Sequence, residues 1–187
     1  MDWWIWVIII IAVILVIMLI SYFNRFVVLK NRIDNSFAQI DVQLKKRADL
    51  VPNLMESVKG YMKHEAKIMT EVSEARKALV SANQGKDMVK RVKAGDDLQG
   101  VLGRLFAIAE NYPNLKANEN FLQFQQELSA IEDKIAYARQ FYNDSILAYN
   151  NTCKTWPGVW FAGIYGKKPE NFIEIPVAER ETPKVKF

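Results

Sequence analysis

One cysteine and one histidine among 187 residues leave little material for metal or nucleophile chemistry. A lone Cys153 cannot close a disulfide within the chain, so no cystine framework braces the fold, and a small packing residue is the simpler reading. His64 precedes Glu65, but the position four residues after it is Ile68, so an H-E-x-x-H zinc site is absent. His64 is also the only histidine that Cys153 could pair with for nucleophilic catalysis, and it lies far away in sequence. Adjacent carboxylates such as Glu132 and Asp133 leave a helix in different directions and do not form an acid/base pair. No glycine-rich phosphate-binding loop sits between a strand and a helix. The expectation is a protein without catalytic residues, metal or cofactor, and not an enzyme.

Two further absences lie at the start of the chain. No charged residue occurs between Trp3 and Asn24, and neither glycine nor proline occurs between Met1 and Val51. Residues Trp3 to Ile20 read WWIWVIIIIAVILVIMLI. A run of about 20 apolar residues spans roughly 30 Å as a helix, enough to cross a bilayer core. A cleaved signal would want a basic leader, a shorter apolar run and a small-residue cleavage site, so a retained single-pass anchor over 1–24 is expected. Trp3, Trp4, Trp6, Tyr22 and Phe23 are placed to form the aromatic belts at its two interfaces. Only Asp2 precedes the run, whereas Arg25, Lys30 and Arg32 come after it, which puts the N-terminus outside and the C-terminal domain in the cytoplasm. The net charge of +4 is mild and acidic residues are interspersed, so nucleic acid is not expected as a partner.

Beyond Asn24 the chain is helical in pattern. Phe26, Leu29, Ile33, Phe37, Ile40 and Leu44 recur at three- and four-residue spacing, so the first helix is predicted to leave the membrane and run to about Lys46. Lys45, Lys46 and Arg47 suit the last turn of a helix. Asp49 to Pro52 is predicted to end or kink that helix, and a second should cover about 53–82. Gly60 lies inside this second helix, where a close helix approach is one explanation. Residues 81–95 read as a loop, with room for a short helix, before a third helix that opens at Asp96 and closes before Pro113. A turn over 112–118 leads to a fourth helix over 119–154, whose stripe from Phe121 to Tyr149 holds the seven-residue repeat. Two N-x-S/T triplets within it, at Asn143 and Asn150, are read as chance. Residues 155–175 are rich in aromatics and turn formers, with a short extended stretch over 172–175, and 176–187 form a polar tail.

The expected architecture is therefore all-α: a transmembrane helix continuing into an antiparallel up-down four-helix bundle over 25–154. In that alternation, the 81–95 segment and the chain after Lys154 both return toward the membrane. Lys86, Lys90, Arg91 and Lys93 are then candidates for anionic headgroups, against the plainer reading of a solvated loop. Trp156, Trp160 and Phe161 are candidates for the interface, against an equal case for plugging the bundle end. The fourth helix, roughly 50 Å long, exceeds the cytoplasmic part of the first, so the excess either flanks neighbouring subunits or passes the turn at Pro52.

Several motifs resemble the bacterial LemA family. They are Ser36-Phe-Ala-Gln-Ile-Asp-Val-Gln-Leu-Lys-Lys-Arg-Ala-Asp-Leu-Val-Pro-Asn-Leu54, Val58 to Tyr61, His64-Glu65, Tyr112 to Asn118 with Asn120-Phe121, and Ile135 to Arg139 with Tyr142 to Asp144. Ala48 and the looser aromatic block are departures. The resemblance implies a membrane-anchored cytoplasmic helical bundle in the bacterial inner membrane, and it supplies no catalytic residues. Two functions of different class are then expected. One is a non-enzymatic scaffold that assembles into a homo-oligomer on membrane lipid, organising or shaping the membrane. The other is an adaptor that presents a helix face to an unlike protein partner.

Overall fold

No helix breaker precedes Pro52, and α1 runs unbroken from Trp3 to Lys59 in the computed structural model, which describes residues 2–85 and 87–173. α2 (Ala66–Gln84), α3 (Met88–Ala109), the single turn α4 (Pro113–Lys116), α5 (Glu119–Lys154) and α6 (Gly158–Ile164) come after it, and no strand occurs among the described residues. The chain divides into two compact units, one formed by Met1–Ser36 with Gln140–Phe187 and the other by Phe37–Arg139. α1 and α5 contribute residues to both.

Within the 37–139 unit, of the end or kink expected at Asp49–Pro52, the end does not occur: α1 continues to Lys59. Proline lacks the N–H that would bond the carbonyl four residues back, here that of Ala48. The structure fills this gap from α2: Arg76 Nε donates to the Ala48 oxygen at 2.8 Å. The apolar repeat also continues through the proline, with Val51, Leu54 and Val58 buried. The chain instead turns at 60–65, where Tyr61 and Met62 both donate to the Val58 carbonyl at 3.0 Å. Gly60 thus lies in a turn, and a Cβ there would meet nothing within 4 Å. The close helix approach belongs to Gly95, where a Cβ would come within 2.4 Å of Leu44 Cδ2.

The expected loop over 81–95 is shorter than the sequence pattern indicates. α3 starts at Met88, with the Asp87 side chain accepting from the Lys90 N–H at 3.2 Å as an N-cap. α5 begins and ends as expected, at Glu119 and Lys154. Beyond Asn24, α1 runs from Arg25 to Lys59, close to the 36 residues of α5, which removes the length mismatch. Leu44, Leu54, Leu79, Leu98, Leu102 and Leu105 fill the core of this unit. Each such side chain contributes about 1.5–3 kcal/mol when fully buried.

In the other unit, Phe26, Ile33, Tyr142, Ile146 and Tyr149 are buried. Ser36 Oγ and Ser145 Oγ lie 3.3 Å apart, each also donating to a carbonyl one turn back. Gly158 opens α6 where a Cβ would come within 2.2 Å of the Thr152 carbonyl oxygen, so only glycine fits. Phe172 and Ile173 carry no strand assignment; Glu174, Ile175 and the tail over 176–187 lie outside the described residues.

Candidate functional site

Three arrangements combine chemistry with geometry. The first surrounds the end of the apolar run. An 18-residue window of α1 has a mean hydropathy of 3.2 and none of it is buried. Trp3, Trp4, Trp6 and Phe23 are exposed, and Tyr22 is half-buried. α6 packs against this end of the run. Phe161 stacks on Tyr22 with centroids 4.4 Å apart, and Tyr165 meets the edges of Phe23 and Phe26. The Tyr165 hydroxyl donates to the Leu19 carbonyl at 2.7 Å. Phe161 is therefore 7% exposed and serves packing, whereas Trp156 and Trp160 are 73% and 66% exposed. The two indoles meet edge to face at 6.1 Å, and Val159 and Ile164 are exposed on α6 together with Trp160. Within the aromatic segment, Phe161 is buried while Trp156 and Trp160 are exposed.

The second arrangement is a set of ion pairs in the 37–139 unit. Arg47 is 0% exposed; its Nη1 donates to the Gly95 carbonyl at 3.0 Å and its Nη2 to Glu132. Arg139, also buried, donates to Asp96. Burial lowers the pKa of the Arg47 guanidinium, opposed first by the Glu132 carboxylate. Lys45, Lys46 and Arg47, expected in the last turn of a helix, lie inside α1, which continues to Lys59; the two lysines are exposed and Arg47 is buried. Arg47 falls on the apolar stripe, three residues after Leu44 and four before Val51.

The predicted headgroup cations separate in the same way. Lys90 and Lys93 are exposed. Arg91 is largely buried, donates to Asp41 and to the Gly85 carbonyl, and lies 5.4 Å from the Phe37 ring centroid. Burial raises the Asp41 pKa, with Arg91 opposing. Lys86 lies outside the described residues. His64 is exposed, and no group of three potential metal ligands occurs among the described residues. Cys153 is buried and free; burial pushes its thiol pKa up, and that of the neighbouring Tyr149 to about 12.

The third arrangement involves Asn143, which lies in the Tyr142–Asp144 motif, and Asn150; the sequence assigned neither a role. Asn143 and Asn150 of α5 hold the extended segment after α6 by its backbone. Asn143 Nδ2 donates to the Ile173 carbonyl at 3.1 Å, and its Oδ1 accepts from the Ile173 N–H at 3.0 Å. Asn150 does the same with Glu170, at 2.9 and 2.8 Å. Lys30 of α1 pairs with the Glu170 carboxylate at 2.7 Å. The seven-residue interval between them puts both amides on one helix face.

These features define a class: an all-helical protein with one helix long and apolar enough to cross a membrane, and internal charges that tie helices together. Residues 36–187 match the model of the LemA family, and the chain belongs to that family. It is 27% identical to magnetosome protein MamQ of Magnetospirillum gryphiswaldense over 193 residues, covering 89% of this chain and 71% of that protein. It is 26% identical to magnetosome protein MamQ 2 of Paramagnetospirillum magneticum, covering 86% and 68%. Protein LemA of Metamycoplasma hominis is 28% identical over 127 residues, covering 68% of this chain and 57% of that protein.

Proposed function

We propose that this LemA-family chain is a non-enzymatic, membrane-anchored helical bundle that assembles with copies of itself into a scaffold at the bacterial inner membrane, organising or shaping it. Its N-terminus lies outside and its C-terminal domain in the cytoplasm, in keeping with Arg25, Lys30 and Arg32 directly after the span. The antiparallel arrangement is supported by the pairings Ala48–Arg76, Glu71–Arg104 and Asp96–Arg139, each straddling one turn. Trp156, Val159, Trp160 and Ile164 rest in the lipid interface, because α6 packs where the apolar run ends. Lys90 and Lys93 remain exposed for headgroups.

Apolar side chains left uncovered outside the span are the observation that carries self-assembly: Val28 and Val42 on α1, and Tyr137, Phe141 and Leu147 on α5. Exposed apolar area on long helices is stabilised by a second helix surface.

A groove of about 460 Å³ favours the second reading, an adaptor with an unlike partner. Met55, Met62 and Met69 line it beside Lys59, Lys63 and Lys77, and methionines adapt to varied apolar surfaces. Imaging of the gently solubilised native complex separates the two readings. Several copies of this chain and no other protein are expected. A single copy, whether alone or bound to an unlike chain, would sink the scaffold.

A further inference from the structure

The asparagine pair on α5 reads an extended peptide by its backbone alone. Each amide both donates to and accepts from one residue of the segment, the exchange that two β-strands make. The register matches: seven residues of helix rise about 10.5 Å, and three residues of extended chain cover about 10 Å. As α5 advances from Asn143 to Asn150 the segment retreats from Ile173 to Glu170, so it runs antiparallel to the helix. Lys30 supplies a side-chain preference, for an acidic residue at the position of Glu170.

We propose that this α1–α5 groove is a peptide site whose occupant in the assembled protein is the Pro169–Ile173 segment of a second copy of the chain. Three observations favour that occupant. Four of the five polar contacts go to backbone atoms, so a neighbour's identical segment satisfies the groove as well as the chain's own. The segment is shallowly seated, with Asn171 and Phe172 exposed, so little apolar burial opposes its release. It is joined to α6 through Gly166, at φ +62°, a left-handed conformation that glycine enters and leaves without strain. Exchange of an identical element between copies is a low-cost route to association. Anchored copies on one membrane present groove and segment at high effective concentration. This inference rests on the self-assembly reading.

Two full-length variants separate donor from acceptor. Asn143→Ala with Asn150→Ala removes the groove's amides and leaves the segment intact. Glu170→Pro with Ile173→Pro removes the two backbone donors and leaves the groove intact, because proline keeps an extended backbone without an N–H. Both are tagged differently, co-reconstituted in lipid vesicles and recovered through one tag, with differently tagged wild-type chains as the reference. Exchange in trans predicts unlike pairs in excess over random mixing, since only a groove-competent and a segment-competent chain complement each other. Wild-type copies that associate while the two variants mix at random would overturn the exchange and leave self-assembly standing. Wild-type copies that remain monomeric would overturn both. An unlike acidic peptide cross-linked beside Asn143 and Asn150 in the native complex would assign the groove to another protein and overturn this occupant.

Discussion

At the scale of single residues, Pro52 stands inside a helix because Arg76 supplies the donor that proline deletes. The carbonyl it completes belongs to Ala48, which is buried, so losing Arg76 leaves an unpaired acceptor away from water. Such a group costs about 1–3 kcal/mol. Arg76→Ala is therefore expected to destabilise the full chain by that amount in denaturant titration. In a Pro52→Ala background the N–H at 52 returns and the cost should shrink. Equal costs in both backgrounds would show that Arg76 acts elsewhere. Arg47 illustrates the same limit of sequence reading. Its neighbours Lys45 and Lys46 are exposed, while Arg47 occupies a core position and takes its partners from α3 and α5. Nothing local to the triplet encodes those partners.

At the scale of elements, two glycines set how closely chain segments approach. At Gly95 a Cβ would press on a side-chain methyl of Leu44, and at Gly158 on the backbone carbonyl of Thr152. Overpacking of this kind costs about 1–3 kcal/mol. Gly95→Ala is expected to lie in that range and to be relieved in part by Leu44→Ala, since the methyl can be removed. Gly158→Ala should cost more, because no side-chain change moves a carbonyl. Thermal melts of both variants decide this, and equal losses would contradict the account. The long helices were legible: α5 matched its predicted ends because the apolar repeat is uninterrupted between a turn and an aromatic block. Three boundaries were not. Pro52, Gly60 and the glycines near α3 are local signals, and tertiary partners reversed two of them.

For the whole molecule, the apolar run and the aromatic segment act together. Tyr22, Phe23 and Phe26 hold α6 from both sides of Asn24, and Tyr165 reaches the Leu19 carbonyl. A Gly-Gly-Ser insertion after Asn24 should break this register and, under the proposed interfacial role, move Trp156 and Trp160 away from lipid. With Trp3, Trp4 and Trp6 replaced by phenylalanine, quenching of the remaining indoles by brominated lipids in vesicles reports the change. Strong quenching in the uninterrupted chain and weaker quenching after insertion are expected. Quenching that does not respond to the insertion would count against α6 as an interfacial element held by the span.

By itself the sequence determined the helical class, the membrane-length apolar helix and the family, because periodicity, run length and ordered motifs are properties of neighbouring residues. It also made Trp156, Trp160 and Phe161 candidates for the interface or for plugging the bundle end. Only the tertiary structure decided which of them are free: Phe161 is consumed by Tyr22, while Trp156 and Trp160 stay exposed. The same holds for Asn143 and Asn150, whose amides pair with the backbone of Ile173 and Glu170, 30 and 20 positions further along the chain. Pairing between residues so distant depends on how the helices turn back, and no local pattern carries that information.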